Sequence, residues 1–428
     1  MSARLRGGTP VQAASFAVFA TFFLSGFNFA SWASRLPAVR DGLDLSAASM
    51  GLLLLVGSVG SLVALPLSGT IIEHIGARRT VLYSAALNAG GLTLAAVGVA
   101  LGSPLVSGLG LVVYGVGTGV WDAAMNVEGA VVEQRLGRTV MPRYHAGFSL
   151  GTVAAAGVAA VAAWLHVPVV VHLPLALGLS MVAVVWSVRL YLTDHAAEAV
   201  VEHHDEGAGE GRARRALAAW LEPRTLLLGL VVLAAALTEG AANDWVSLAV
   251  VDGFETPHAV GAVALGVFLA SMTGMRWFGT ALLDRYGRVA VLRLCAALAL
   301  VGLGLFGLAP TMWLALVGIV AWGAGAALGF PVGMSAAADD PLRAAARVSV
   351  VSTIGYSAFL AGPPLLGLLA EHVGYRHALL VILVPVALGI AVAGTAAPLR
   401  AAGSSEAPSD APSDAAVQDA HDDPAARP

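Results

Sequence analysis

Two stretches of this chain place carboxyl groups where apolar residues are the rule. The stretch "YGVGTGVWDAAMNVEGAVVEQRLGR" (114–138) carries Asp122, Asn126 and Glu128, and "LTEGAANDWVSL" (237–248) carries Glu239, Asn243, Asp244 and Trp245. Asp122 and Asn126 are four apart, as are Glu239 and Asn243, so on a helix each pair shares one face. Glu128 is six residues from Asp122 and points elsewhere, close to the end of its segment. An ionised side chain at the centre of a bilayer costs about 2.5–3.5 kcal/mol on insertion scales. An acid kept there lines a watery cavity, is paired, or holds its proton. Asp122, Glu239 and Asp244 are therefore candidates for reversible protonation. The competing reading is structural: Arg276 lies inside an apolar run and must reach water or meet an acid, with Asp122 the first partner to test.

Asn28, Trp32 and Arg35 follow one another at spacings of four and three, on one helical stripe. An amide that binds hydroxyls and an indole that offers a flat apolar face suit a polar, ring-shaped solute. Asn28, Trp32, Asn126, Asn243 and Trp245 are accordingly the candidate solute-binding residues. Tryptophan near a helix end is equally an interfacial anchor. His145 is either a proton relay or a capping residue.

The elements that must position these groups are membrane helices. Of 428 residues, 58% are hydrophobic and 12% charged, with a mean hydropathy of +0.81. A soluble domain carries about 45–50% apolar and about 25% charged residues. Long apolar runs without strand alternation, in a medium that cannot satisfy backbone groups, leave helices as the spanning element. Segments of about twenty residues fall near 13–35, 47–71, 79–101, 105–131, 143–164, 168–191, 224–250, 258–282, 288–308, 312–336, 347–370 and 376–397. The first is read as an uncleaved span rather than a secretory signal. All 23 basic residues are arginine. With the N-terminus in the cytoplasm, arginines fall on the cytoplasmic side over the outer side by about six to one, as the positive-inside rule requires. Both termini are then cytoplasmic. The net charge of −4 carries no sign of a nucleic-acid partner, and the lone Cys295 excludes an internal disulfide.

The expected domains are a first six-helix bundle (1–191), a cytoplasmic linker (192–223), a second bundle (224–398) and a disordered tail (399–428). The linker's His195, His203, His204 and Asp205 are read as solvated, not as a metal site. "GFSLG" (147–151) and "GVGTG" (115–119) lack the strand context of a nucleophile elbow or dinucleotide loop, so no enzyme, metal or cofactor is expected. Closely spaced glycines in a membrane helix instead permit tight helix contact. The halves echo each other: "GTIIEHIGARR" (69–79) and "GTALLDRYGR" (279–288) follow corresponding spans, with Glu73 and Asp284 211 residues apart.

Those two loops resemble the signature of the major facilitator superfamily: Gly69, Glu73, His74, Gly76, Arg78 and Arg79, then Asp284, Arg285, Gly287 and Arg288. The first copy departs by Glu for the usual Asp, His for Arg, and Ala77 for a basic residue; in the second, Gly279 falls one residue early. "NFASWASRLPAVRDGLDLS", "WDAAMNVEGAVVE", "YHAGFSLG" and "EGAANDW" are further similar to the fucose-permease-like branch of bacterial permeases. The resemblance implies twelve helices in two pseudo-symmetric bundles, rocking around a midplane site. It implies a monomer in the bacterial cytoplasmic membrane that moves a small polar solute, a sugar by preference, with protons. Glu73, Arg78, Arg79, Asp284, Arg285 and Arg288 become cytoplasmic gate residues. The rival expectation is a proton-coupled exporter of drugs or metabolites.

Overall fold

In the computed structural model, which describes residues 9–192, 218–340 and 343–398, the long apolar runs are helical. Ten of these helical stretches are long and apolar enough to cross a bilayer. Two are double. Ala47–Ala100 breaks at Gly76 (φ 80°, ψ 153°) and His258–Leu308 breaks at Gly287 (φ 77°, ψ 167°), a left-handed backbone that glycine adopts without steric cost. Both arms of Ala47–Ala100 pack against the next helix at one level. A Cβ on Gly115 would lie 2.1 Å from the Gly57 carbonyl oxygen, and one on Gly117 2.5 Å from the Asn88 amide. The arms therefore run side by side, and the described residues make twelve crossings.

We number them α1 (Pro10–Ala33), α2 (47–75), α3 (77–100), α4 (Pro104–Leu136), α5 (Met141–Trp164) and α6 (Val169–Ser187) in the first half. The second half holds α7 (Pro223–Gly253), α8 (258–286), α9 (288–308), α10 (Met312–Ala337), α11 (Ala344–Val373) and α12 (Tyr375–Ala396). The ends are marked locally. Thr9 and Gln12 form a reciprocal capping box with Pro10 in the first turn of α1, an arrangement worth about 1 kcal/mol. Ser103 and Pro104 start α4, and Gly137 (φ 63°) closes it. The helices α4 and α7 overrun the hydropathy limits because polar residues continue them past the apolar window. The expected linker and tail lie outside the described residues, apart from Leu192 and residues 218–223.

The outward faces are apolar. In α6, Leu175, Leu179, Val182 and Trp186 are exposed at spacings of four, three and four, while His172, Leu173, Leu177, Ser180 and Val184 are buried. This inverts the pattern of a water-soluble helix, and lipid is the solvent it suits. Between the halves, α2 packs on α11 and α5 on α8. The first crossing is close: a Cβ on Gly51 would sit 2.4 Å from the Pro363 carbonyl oxygen.

Candidate functional site

On α4, Asp122 is solvent-exposed although it lies near the middle of a 33-residue helix. It faces the other half, since it is within electrostatic reach of Tyr356 on α11; its exposure is therefore to a cavity and not to lipid. The Asn126 amide donates to the Asp122 carbonyl at 2.8 Å and lies 3.4 Å from Oδ1. Glu128, on a different face, is buried and accepts from the Leu192 amide at 2.8 Å, fastening the chain after α6 to α4.

Glu239 of α7 and Arg276 of α8 form an ion pair at 2.9 Å. This corrects the pairing first expected for Arg276: its partner is Glu239, not Asp122. Which helices face one another decides that choice, and residue spacing along one helix does not report it. Arg276 Nε also donates to the Ala327 carbonyl (3.2 Å), where α10 breaks between Ala326 and Gly329. Asp244, half-buried, lies within electrostatic reach of Tyr114 of α4. Asn243 is half-buried, and its Oδ1 has no hydrogen-bond partner among the described residues.

Three of the five expected solute-binding residues present no surface to a cavity here. Asn28 is 1% exposed and donates to Asn88 Oδ1 at 2.9 Å. Trp32 is 4% exposed within the core, and Trp245, 1% exposed, packs on the Tyr375 ring at 5.5 Å. The structure adds an aromatic group that sequence reasoning missed. Tyr356 is exposed, with Phe330 at 5.9 Å and Phe359 at 6.3 Å between ring centroids. The two α11 rings are three residues apart, so periodicity alone gives them away only once α11 is known to face the cavity. His145 is also exposed and within electrostatic reach of Arg276. Carboxylate, amide, imidazole, phenol and phenyl groups thus converge from α4, α5, α10 and α11, with the Glu239–Arg276 pair behind them. Such a wall can bind a polar solute with an apolar face and exchange a proton. Among the described residues, no group of three or more His, Cys, Asp or Glu side chains could hold a metal ion.

The halves are tied at one end. Arg40 meets Asp252 at 2.5 Å and Asp41 at 2.7 Å, and His258 Nε2 lies 2.8 Å from Asp41. Burial works to lower the Arg40 pKa, yet bonds to Asp252, Tyr375 and Asp41 hold it above the ordinary value. Glu371 accepts from the Ala48 amide at 3.0 Å, so an acid of α11 caps the N-terminus of α2. At the opposite end, Glu73, Arg78, Arg79, Asp284 and Arg285 are exposed. The ion pairs found there stay within the second half: Arg288 with Asp339 at 2.5 Å, Arg224 with Asp339 at 3.0 Å, and Arg347 with Glu222. Arg347 holds the Glu222 carboxyl below its usual range.

A third copy of the loop motif went unnoticed in the sequence. Gly69-x3-Glu73-His74-x-Gly76-x-Arg78 recurs as Gly367-x3-Glu371-His372-x-Gly374-x-Arg376, at the other end of the molecule. Gly374 (φ 77°, ψ 157°) repeats the Gly76 backbone, and both histidines meet the carbonyl four residues back, at 2.8 and 3.0 Å. A direct comparison of 69–78 with 367–376 would have found it.

Comparison with known proteins follows the same outline. The family model described as Major Facilitator Superfamily matches residues 17–341 and 228–420. The uncharacterized transporter y4wD of Sinorhizobium fredii (strain NBRC 101917 / NGR234) is 32% identical over 381 residues, covering 86% of this chain and 97% of that one. Among solved structures, the nucleoside transporter NupG matches with a TM-score of 0.70 at 16% identity, over 91% of this chain and 99% of that one. The E. coli fucose:proton symporter FucP (N162A) matches with a TM-score of 0.57 at 15% identity, over 91% and 99%. At such identities the two structures speak to the fold alone.

Proposed function

The chain belongs to the Major Facilitator Superfamily, as a secondary transporter and not an enzyme, and from that premise we propose that it carries a small polar solute, a sugar or similar metabolite, together with protons. The observation that carries this reading is Asp122. It is a cavity-exposed carboxyl in the middle of a membrane helix, without an ion pair to any described residue and facing Tyr356. A carboxyl so placed can gain and lose a proton as access alternates. Asp244, beside Tyr114, is the second proton candidate. Glu239 serves through its pair with Arg276.

We take the end opposite the Arg40–Asp252 tie to be open and to face the cytoplasm, a reading the arginine asymmetry supports; the conformation is then inward-facing, with both termini cytoplasmic in a bacterial inner membrane. Glu73, Arg78, Arg79, Asp284, Arg285 and Arg288 are then gate residues that meet when the cytoplasmic end closes, and the carrier works as a monomer. A ring-shaped solute suits the Tyr356–Phe330–Phe359 wall, with Asn126 and Asn243 as hydroxyl partners. The solutes named for the structural neighbours, a nucleoside and fucose, make those classes the first to try.

Proton-coupled efflux is the second reading, since an unpaired carboxylate beside aromatic rings also attracts an apolar cation. Proteoliposomes with an internal pH probe separate the two. Acidification on adding pooled sugars and nucleosides supports symport. Proton efflux from acid-loaded vesicles on adding pooled apolar cations supports export. No proton movement in either assay, from protein that exchanges a solute, rules out proton coupling.

A further inference from the structure

Near the closed end of the first half lies a buried cation without a counter-charge. Arg35 follows α1 and is 4% exposed. Its Nη2 donates to the Val167 carbonyl at 2.7 Å, and its Nε and Nη1 have no partner among the described residues. Burial alone acts on the guanidinium, pulling it below its ordinary pKa. An uncompensated charge out of water is strongly destabilising, whereas a paired one is tolerated.

Arg35 lines a cavity of about 320 Å³ together with His166, Pro168, Val169, Val170 and His258, and the residues lining it include no acid. Pro168 caps α6, and its carbonyl takes the Val171 and His172 amides at 3.0 and 2.9 Å. The amides of Val169 and Val170 precede the first bond of that helix, so the cavity meets the positive end of a 19-residue helix. His172, 5% exposed and one turn into α6 behind the lining residues Val169 and Val170, lies within electrostatic reach of Arg35, and both of its ring nitrogens are buried without a partner among the described residues. The hydroxyls of Ser31 and Ser34, before Arg35 in the chain, are buried and have no partner among the described residues either. Asp41, which meets the lining His258, has its oxygens taken by Arg40 and that same His258.

We infer that Arg35, His172 and the N-terminus of α6 form a cradle for one small anion. The ligand presents a single negative charge and bare acceptor lone pairs, as a halide, a small carboxylate or a phosphate group does. It accepts from Arg35 Nε and Nη1, from an imidazole N–H, and from the free amides of α6. This site is separate from the cavity around Asp122 and stands whether or not the carrier is proton-coupled.

The test is thermal unfolding of the full chain in neutral detergent, at fixed ionic strength, titrating chloride, acetate or inorganic phosphate against a bulky sulfonate salt. A ligand that binds only the folded state, at free concentration L, raises Tm through RT ln(1 + L/Kd), so the rise begins near Kd and then grows with the logarithm of concentration. The expected result is such a rise, of a few degrees, with at least one small anion and not with the sulfonate, lost in Arg35→Gln. His172→Gln, a milder change, should move the concentration at which the rise begins at least several-fold upward. A rise confined to mixed micelles containing an anionic phospholipid, and lost in the same variants, places a lipid phosphate in the same cradle. A Tm indifferent to every anion and to anionic lipid overturns the assignment. So does an anion response that His172→Gln leaves unchanged, even if Arg35→Gln does not fold.

Discussion

Arg276 donates to Glu239 at 2.9 Å, and that pairing leaves Asp122, on the facing half, without an ion pair to any described residue. Two membrane carboxyl groups that look alike in sequence thus have different work. One is neutralised by a neighbouring helix and helps hold α7, α8 and the break in α10 together. The other is open to the cavity.

The pair should behave as a unit. The Arg276 and Glu239 side chains are 30% and 21% exposed, so losing one partner should cost less than the roughly 3–5 kcal/mol of a fully buried pair, about 1–2 kcal/mol. We expect Glu239→Gln and Arg276→Gln each to lower the apparent Tm in detergent, and the double variant to recover much of the loss. Additive losses in the double variant would mean that the two side chains do not depend on each other.

The closed end should open when its latch is weakened. Exposed pairs of the Arg40–Asp252 and Asp41–His258 kind contribute about 0.2–1 kcal/mol each. Removing both through Arg40→Gln with His258→Ala should therefore shift the equilibrium between closed and open by about two- to thirtyfold. The measurement is labelling of Ala48→Cys, at the α2–α11 contact, by a membrane-impermeant maleimide. The rate should rise with the double change, and added salt should raise it in the unaltered latch.

Glu222 gives a pH signature. Arg347 depresses its carboxyl in the folded protein, so the stabilisation is present above the ordinary carboxylate pKa of about 4.3. It is lost as pH falls through the depressed value. We expect Glu222→Gln to lower Tm at neutral pH, with the gap from the parent protein narrowing once pH drops below that ordinary range. A gap independent of pH would contradict the pairing.

The aromatic wall should select solutes. Tyr356→Phe keeps the ring and should leave solute affinity within a few-fold, whereas Tyr356→Ala should weaken it by about tenfold, the equivalent of about 1.4 kcal/mol. Equilibrium binding or the KM of exchange reads the difference.

Much of the scaffold was legible because lipid punishes exceptions: the twelve runs follow from backbone satisfaction, and the loop repeat from the matched residues around Gly76 and Gly287, whose left-handed backbone only the structure shows. The partners across helices were not. Asn28 looked like a cavity amide, and it is spent on Asn88. Trp32 and Trp245 looked like solute platforms, and both are buried in the core, Trp245 against Tyr375. Tyr356 was overlooked because an aromatic residue in an apolar helix has no distinguishing spacing. Helix periodicity tells which residues share a face; only packing tells what that face meets.

The measurement that tests the account most directly compares two assays of one variant, Asp122→Asn, in proteoliposomes with the transported solute. Exchange of labelled for unlabelled solute needs binding and alternating access but no net proton movement. Accumulation driven by an imposed pH gradient needs both. The account predicts that Asp122→Asn retains exchange to within a few-fold while gradient-driven accumulation falls to the level of empty vesicles. Accumulation that survives in the variant would contradict the assignment of the proton to Asp122.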